Sequence, residues 1–239
     1  MIIEGKNAVI ESLKGDITIE KVMFLKSAPN SNFDSIITLC KEQNIPYNFL
    51  DKYALDRISP TGKHQGVLAF GTDFVYSELD DLLVKKDNEY LLLILLDGIE
   101  DPHNLGAIVR VADCVGANGI IISKHRCCGV TDTAIKVSSG ACSYVKIAKV
   151  NNLNDTIRDL KEKGIFVYAT DMAGESIYKT NLCGDIAIVI GSEGEGVHTL
   201  TQKLSDATIS LPQKGKINSL NASVATGVVL YECLRQRSK

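Results

Sequence analysis

The stretch YLLLILLDGIEDPHNLGAIVRVADCVGANGIIIS, from Tyr90 to Ser123, has the pattern of a strand, a helix and a second strand. Its first part is a continuous apolar run, which is typical of a strand buried on both faces of a parallel sheet. The middle part repeats apolar residues at helical spacing, with Leu105, Ile108, Val109 and Ala112 on one face. The last part, NGIIIS, is again a short buried strand. The stretch therefore predicts a β-α-β unit of an open parallel sheet.

The chain after this unit continues to alternate between strands and helices. The later elements are, in order, the helix NLNDTIRDLKEKG closed by Gly164, the strands IFVYATD and IAIVIGSE, a strand ending near Leu211, and the helix SLNASVATGVVLYECLRQR with Ser219 as its N-cap. Residues 90–239 are therefore predicted to form one α/β domain, a mostly parallel sheet with flanking helices.

The chain before residue 90 has a less regular pattern. Residues 1–72 contain the helix-like stretches GKNAVIESLK and NFDSIITLCKEQN and the strand-like stretches IEKVMFL and GVLAFG, which predict a small α/β domain. Residues 73–89 are acidic and polar, and we interpret them as a linker.

Composition excludes some classes of protein. No apolar run approaches the roughly 20 residues that cross a bilayer, and the charged start of the chain lacks the apolar centre of a signal peptide, so a cytoplasmic protein is expected. Seven scattered cysteines argue against a disulfide framework. The group His125, Cys127 and Cys128 has no second pair to complete a zinc site, so no metal is predicted.

The charge balance permits a nucleic-acid partner without requiring one. The 26 basic and 29 acidic side chains give a net charge of −3. The segment from Lys203 to Lys239, however, holds six Lys or Arg residues against Asp206 and Glu232, a local net charge of +4. A basic tail of this kind is compatible with RNA.

Three loops after predicted strands carry the polar residues that chemistry requires. Ligands of open α/β sheets bind beyond the carboxyl ends of the strands. The loop after Leu96 leads to Asn104 and Arg110, the loop IGSEGEGV carries Glu193, and the loop after Leu211 leads to Ser219 and Asn221. Each loop alone also has a structural explanation. Arg110 of the first loop could form an ion pair, the glycines of the second could form a turn, and Ser219 of the third could cap a helix. Their occurrence together indicates a site.

These three loops together resemble the three motifs of the SpoU-type RNA ribose 2′-O-methyltransferases, in the SPOUT class. The motifs appear as DPHNLGAIVRVA, IVIGSEGEGV and ISLPQKGKINSLNASVATGVVLYE, and the resemblance covers residues 90–239. Near the amino terminus, EGKNAVIESL and KHQGVLAF are similar to the start and end of the small RNA-binding domain of bacterial 23S rRNA guanosine 2′-O-methyltransferases.

The resemblance implies a cofactor, a fold and a partner. S-adenosylmethionine is the implied methyl donor, bound in a trefoil knot of the carboxyl-terminal domain. The implied acceptor is a ribose 2′-OH of RNA, foremost a guanosine of 23S rRNA. Family members are homodimers with the active site at the dimer interface.

The resemblance also implies the site residues. The matching catalytic residues are Asn104, Arg110, Glu193, Ser219 and Asn221. The matching cofactor-binding positions are Gly191, Gly196, Leu211 and Leu220. In the small domain, Asn7, Lys63, His64 and Gln65 are candidate RNA contacts. The sequence departs from the family pattern at Gln213, where methionine is usual, and at Ile217 and Asn218, where small residues are common.

The family proposal makes the arginine that matches Arg110 the base for the 2′-OH. A free guanidinium has a pKa above about 12, which makes it a poor base. We therefore favour a hypothesis in which Arg110 binds the adjacent phosphate and orients the hydroxyl. A phosphate oxygen or a transiently neutral arginine then accepts the proton.

Other functions remain open at this point. One is a tRNA ribose 2′-O-methyltransferase, which would share all three motifs. Another is a catalytically silent RNA-binding or ribosome-assembly factor. A nucleotide-dependent dehydrogenase is disfavoured, because no G-x-G-x-x-G fingerprint follows the first strand of the sheet.

Overall fold

The computed structural model describes residues 1–15, 17–27, 33–72, 74–85, 89–215 and 219–238. The chain divides into two compact units. The first holds Met1–Val75 with Gly129–Asp132, and the second holds Tyr76–Cys128 with Thr133–Lys239. The sequence-based division into a domain, a linker and a second domain stays a prediction.

The first unit contains a mixed four-stranded sheet and helices. Its strands are β1 (Ile2–Glu4), β2 (Thr18–Leu25), β3 (Tyr47–Leu50) and β4 (Val67–Thr72), in the order β1-β4-β2-β3. Its helices are α1 (Lys6–Lys14), α2 (Asp34–Glu42) and α3 (Lys52–Ile58). Strand β4 runs antiparallel to both of its neighbours, whereas β2 and β3 are parallel. The predicted small α/β domain is thereby confirmed as a fold class.

The core of the first unit lies between α1, α2 and the sheet. Val9 of α1, Phe24 of β2 and Ile36 of α2 are buried in one cluster together with Phe33. The rings of Phe24 and Phe33 are 5.1 Å apart between centroids, which is within the range in which aromatic pairs attract. Because these side chains are buried, apolar residues recur at helical and alternating spacing in the sequence of the first unit.

The second unit contains a six-stranded sheet. Its strands are β5 (Leu92–Asp97), β6 (Gly119–Ser123), β7 (Ile147–Val150), β8 (Phe166–Ser176), β9 (Ile186–Gly191) and β10 (Ala207–Ser210). Their order is β10-β8-β9-β5-β6-β7, and every neighbouring pair is parallel. The predicted parallel sheet is confirmed.

Helices flank this sheet. They are α4 (Leu79–Leu82), α5 (Pro102–Cys114), α6 (Asp132–Val137), α7 (Leu153–Glu162), α8 (Thr199–Leu204) and α9 (Ala222–Arg237), with a 3₁₀ turn at Ala141–Ser143. Leu82 of α4 is fully buried in the core of this unit. In the described ranges, none of the helices is both long enough and apolar enough to span a membrane.

Strand β5 is the centre of the second sheet. All six of its residues are buried, and it pairs with β9 on one side and β6 on the other. Leu105, Ile108, Val109 and Ala112 of α5 are fully buried, which confirms the apolar face predicted for this helix. Truncating one such leucine or isoleucine to alanine typically costs about 2–5 kcal/mol. This packing fixes where α5 begins, and hence where its polar residues lie.

Several elements differ from the sequence-based prediction. Strands β1, β3 and β7 and helices α3, α6 and α8 were not predicted. Most of them are only three to six residues long, so each buries too few side chains to show a period. The prediction that Ser219 caps the last helix is wrong. That helix begins at Ala222, and Asn221 is its N-cap.

Candidate active site

Three polar side chains from the three predicted loops meet in one cluster. The amide Nδ2 of Asn104 donates a hydrogen bond to Oε1 of Glu193 at 3.1 Å. The Nδ2 of Asn221 donates to Oδ1 of Asn104 at 2.9 Å and also to Oε1 of Glu193. The three residues are far apart along the chain, so only the fold brings them together. We call Asn104, Glu193 and Asn221 the polar cluster.

The start of α5 places Asn104 in this cluster. Asp101 caps the helix by accepting a hydrogen bond from the backbone N–H of His103 at 2.8 Å. Pro102 occupies the first helical turn, where its missing N–H costs nothing. Asn104 is buried with 9% of its surface exposed, and its hydrogen bonds satisfy an amide that would otherwise be costly to bury.

The cap of α9 fixes the orientation of Asn221. Its Oδ1 accepts hydrogen bonds from the backbone N–H groups of Ser223 at 3.0 Å and Val224 at 3.3 Å. Its Nδ2 must therefore point away from the helix, toward Asn104 and Glu193. The backbone N–H of Ala222 also lies 3.5 Å from Oε1 of Glu193, so the carboxylate sits at the positive end of α9.

The loop that carries Glu193 is closed on itself. Ser192 and Gly196 exchange two backbone hydrogen bonds of 3.1 and 3.0 Å. A Cβ atom on Gly191 would lie 2.0 Å from the carbonyl carbon of Gly196, so only glycine fits at position 191. Gly196 has a φ of +68°, in the left-handed region that glycine adopts freely. Gly191 thus allows the end of β9 to lie close to the backbone of Gly196 in the same loop.

The same loop is tied to the end of β5. Asp97, which is buried, accepts a hydrogen bond from the backbone N–H of His198 at 2.9 Å and contacts Nδ1 of the same residue at 2.8 Å. These contacts hold the loop after β9 against the loop after β5. The distance between Asn104 and Glu193 is thereby set by the sheet.

A cavity of about 600 Å³ lies beside the polar cluster. Four segments line it, namely residues 170–173 of β8, residues 190–196, residues 209–211 with Gln213, and the segment around the start of α9. The predicted residues that line it are Gly191, Glu193, Gly196, Leu211, Ser219 and Leu220. Gln213 lines it as well, whereas Ile217 and Asn218 lie outside the described residues.

The residues of β8 that line this cavity were not predicted from the sequence. Between Thr208 and Ile209 of β10, the pairing on β8 jumps from Ala169 to Glu175, so residues 170–174 bulge out of the ladder. A Cβ atom on Gly174 would lie 2.6 Å from the backbone of Ile209, which explains the glycine in the stretch DMAGES. That glycine was the one available signal of a close approach.

A second cavity of about 690 Å³ lies on the other side of the same loop. Residues 192–195 line both cavities, and Asn104 and Arg126 line the second one.

Cys127 follows Arg126 in the sequence. The hydrogen bond of Cys127 to Cys128, together with burial, raises the pKa of the Cys127 thiol well above its ordinary value. A thiol that stays protonated is a poor nucleophile, so Cys127 is not a candidate nucleophile.

Arg110 lies apart from the polar cluster. It is exposed, and its Nη1 donates a hydrogen bond to Oγ of Ser139 at 3.4 Å. Arg110 and Asn104 are six residues apart on α5, which places them about 120° apart around the helix axis. His103, seven residues from Arg110, is exposed on the same face, as its spacing predicts. The apolar residues around Arg110 point inward and the arginine does not, so it needs no buried partner.

Comparison with known proteins shows the family of this chain. The sequence model of the SpoU rRNA methylase family matches residues 91–231, more than half of the chain. A second model, described as the substrate-binding domain of RNA 2′-O ribose methyltransferases, matches residues 2–76. The chain belongs to the SpoU rRNA methylase family.

Individual relatives cover almost all of this SpoU-family chain. A Bacillus subtilis (strain 168) protein, named as a member of the TrmH family of tRNA/rRNA methyltransferases, is 43% identical over 238 residues, which cover 98% of this chain and 95% of that protein.

Solved structures share the fold. The SpoU methyltransferase AviRb of Streptomyces viridochromogenes, in complex with AdoMet, has a TM-score of 0.65 at 23% identity and covers 100% of this chain and 91% of its own. The AdoMet-bound rRNA methyltransferase of Sinorhizobium meliloti has a TM-score of 0.62 at 25% identity, with 98% and 86% covered.

The candidate RNA contacts of this SpoU-family chain lie in the first unit. Asn7, Lys63 and Gln65 are exposed, and Oε1 of Gln65 accepts a hydrogen bond from the backbone N–H of Lys6 at 3.2 Å. The segment 63–65 therefore adjoins the start of α1. His64 is buried, with Nε2 2.7 Å from Asp56 and Nδ1 accepting from the backbone N–H of Gly66 at 2.9 Å.

Proposed function

We propose that this chain is an S-adenosylmethionine-dependent RNA methyltransferase that methylates a ribose 2′-OH. The observation that carries the proposal is the convergence of Asn104, Glu193 and Asn221 beside the cavity of about 600 Å³. Membership of the SpoU family supports the class of reaction. The substrate-binding model that matches residues 2–76 supports the ribose 2′-OH as acceptor.

The cavity next to the polar cluster fits S-adenosylmethionine. Its volume lies within the range of small-molecule sites, and glycine backbone and apolar side chains make up much of its wall. Gly191, Gly196, Leu211 and Leu220 would contact the cofactor there. Two relatives of the same fold were crystallised with AdoMet. When bound, the cofactor supplies an electrophilic methyl group. The trefoil knot of the family is part of the same proposal.

The residues of the chain would then position the acceptor. Glu193, held by two amides and the start of α9, accepts hydrogen bonds and can orient a ribose hydroxyl or a cofactor amino group. Ser219 lines the cavity and offers a hydroxyl. Arg110 would bind the phosphate next to the target ribose, because a guanidinium matches a phosphate with two parallel hydrogen bonds. The proton of the 2′-OH would go to a phosphate oxygen or to a transiently neutral arginine.

A second copy of the chain would supply Arg110 to the site. Within one chain, Arg110 shows neither a hydrogen bond nor an ion pair to the polar cluster, all of whose members are described residues. A homodimer with the site at its interface would bring the two together. The same symmetry operation would complete the second site of the dimer.

Helix α9 offers a surface for such a dimer. Leu220, which precedes the helix, and Val224, Val228 and Tyr231 form an apolar stripe at spacings of three and four residues, with between 37% and 53% of each residue exposed. The opposite face of α9, with Val229 and Leu230, is buried. A helix that is apolar on both faces is expected to be covered on both.

The RNA would be selected by the first unit. We propose residues 1–72 as the RNA-binding domain, with Asn7, Lys63 and Gln65 as direct contacts and His64 as support for their loop. Residues 73–89 would be the linker and residues 90–239 the methyltransferase domain. The similarity of EGKNAVIESL and KHQGVLAF to 23S rRNA enzymes favours a guanosine of 23S rRNA. An RNA substrate of this kind predicts a cytoplasmic protein.

A tRNA substrate is the second candidate, since the name of the Bacillus subtilis relative includes both RNAs. The test is to map 2′-O-methyl groups in rRNA and tRNA from cells with and without the protein. We expect one or a few 2′-O-methyl groups to disappear from 23S rRNA and to return with the wild-type gene but not with Glu193→Ala. Loss from tRNA alone would replace the rRNA proposal. Unchanged maps together with no cofactor binding by calorimetry would identify a silent RNA-binding factor instead.

A further inference from the structure

The guanidinium of Arg110 must be held in one orientation if it acts on the RNA backbone. We propose, on the basis of the function proposed above, that Ser139 is a positioning residue that holds it. Ser139 belongs to none of the three motifs, and it follows the end of α6. Its Oγ accepts the hydrogen bond from Nη1 of Arg110.

Close packing of α5 on α6 brings the two residues together. A Cβ atom on Gly106 would lie 2.6 Å from the carbonyl oxygen of Ala134 and 2.8 Å from Cβ of Val137, so α5 approaches α6 as only a glycine allows. Arg110 lies one helical turn beyond Gly106 on the same side of α5. The contact at Gly106 therefore directs Arg110 toward the residues that follow α6.

The backbone of Ser139 is strained, which indicates that its side chain has a function. Its φ is +53°, in the left-handed region, which costs free energy for every residue with a Cβ atom. Glycine adopts this conformation without strain, as Gly140 does at the next position with a φ of +93°. A serine at position 139 is thus less favourable for the turn than a glycine. The group that a serine has and a glycine lacks is the hydroxyl, which is the group that contacts Arg110.

The surrounding turn keeps Ser139 in this conformation. Ser138 is buried, its Oγ donates to the carbonyl of Ile135 at 2.8 Å, and the same Oγ accepts from the backbone N–H of Cys142 at 3.3 Å. The backbone N–H of Ser139 bonds to the carbonyl of Lys136 at 3.2 Å. Strained residues that are held by their surroundings in this way cluster at functional sites.

The geometry of the pair leaves the guanidinium able to bind an anion. Arginine has five N–H donors, and Ser139 uses only one of them, on Nη1. The distance of 3.4 Å is longer than the common value of about 2.9–3.0 Å, and catalytic hydrogen bonds often shorten once substrate is bound. Ser139 would thus restrict the rotation of the side chain while the other donors face the phosphate.

The test compares three variants of the full-length protein by methyl-transfer kinetics on its RNA, or on total 23S rRNA if the site is unmapped. Ser139→Ala and Ser139→Gly both remove the hydroxyl, and Ser139→Gly also relieves the backbone strain. Ser143→Ala is the matched control. It changes an exposed serine of the same turn, whose side chain has no hydrogen bond in the described part of the chain. We expect kcat to fall about tenfold in both Ser139 variants, from the loss of a hydrogen bond to a charged group.

The remaining measurements separate positioning from folding. We expect Ser139→Gly to keep its melting temperature and its calorimetric cofactor affinity while kcat falls. In an Arg110→Ala background, Ser139→Ala should cause no further loss. Normal kcat in Ser139→Gly, or an equal loss in both backgrounds, would overturn the assignment to Ser139. Full activity of Arg110→Ala itself would instead contradict the proposed function of Arg110.

Discussion

Helix α5 presents two different kinds of polar residue on two of its faces. Asn104 is buried, and its side chain is fixed by Glu193 and Asn221 within the same chain. Arg110 is exposed, and its one described hydrogen bond runs to Ser139. The polar residue of the buried face is therefore hydrogen-bonded within its own chain, whereas the arginine of the exposed face uses only one of its five donors among the described residues.

This difference indicates how the site is divided. The polar cluster depends on the sheet, on the cap of α9 and on the loop after β9, and each of these is set by packing within the second unit. Arg110 depends on α6 and its following turn. Asn104 and Arg110 face different directions on one helix. They can serve one reaction when the Arg110 side chain of a symmetry-related chain lies against the polar cluster that contains Asn104.

The largest expected effect is the loss of the carboxylate from the polar cluster. Glu193→Ala removes the acceptor shared by Asn104, Asn221 and the backbone of Ala222. We expect kcat to fall about 10³-fold, as when a preorganised group is removed from an active site. Because the substitution also removes the acceptor of the buried Asn104 amide, the melting temperature should fall as well, and kcat is therefore compared for folded protein only. Activity within a factor of two of wild type would contradict the assignment of the cluster as the active site.

A somewhat smaller effect is expected from separating the two chains. Val224→Glu places a charge in the apolar stripe of α9, where burial of an unpaired charge against a second chain is unfavourable. We expect a monomer by light scattering that still binds the cofactor but methylates RNA about 100-fold more slowly, because it lacks the guanidinium fork of its partner. A monomer with normal turnover would show that Arg110 acts within its own chain.

The effect of Arg110→Lys distinguishes geometry from charge. Lysine keeps the positive charge but loses the planar fork that binds a phosphate through two hydrogen bonds. We expect kcat to fall about 30- to 100-fold with RNA affinity and cofactor affinity unchanged. The matched control is Arg158→Lys on α7, an exposed arginine paired with Asp155, which should retain full activity. Near-normal turnover in Arg110→Lys would count against bidentate phosphate binding.

The last prediction concerns the stability of the loop after β9 and is tested at Gly191. A Cβ atom there would overlap the backbone of Gly196, so Gly191→Ala must displace the loop that carries Glu193. We expect the free energy of unfolding to fall by about 2–3 kcal/mol and cofactor binding to weaken. Gly194→Ala in the same loop is the control, because nothing lies within 4 Å of its Cβ position. Equal stability of both variants would show that the loop is not held at Gly191.

Much of this architecture was predictable from the sequence because burial leaves a period. The apolar run of β5 and the helical spacing of Leu105, Ile108, Val109 and Ala112 both reflect side chains that the structure buries completely. The three loops were recognisable because their polar residues follow such runs directly. A sequence that alternates between buried strands and helices thus indicates where a site must lie.

The features that were not predicted depend on contacts between distant segments. The bulge of residues 170–174 arises from the register of β8 against β10, which no local pattern reveals. The helix cap at Asn221 rather than Ser219 is decided by where α9 starts to pack. The position of Ser139 beside Arg110 follows from the approach of α5 and α6 at Gly106. Each of these requires the fold before it can be seen.

The most direct test of a site built from two chains is complementation between two inactive variants. The Arg110→Ala and Glu193→Ala variants carry different tags and are co-expressed, so that their subunits combine at random into parental and mixed dimers. The methylation activity of this mixture is compared with that of each parental dimer. We expect each parent to be inactive and the mixture to recover about a quarter of wild-type activity, because half of the dimers are mixed and each mixed dimer has one intact site. A mixture as inactive as its parents would contradict the account, since Arg110 and Glu193 would then have to act in the same chain.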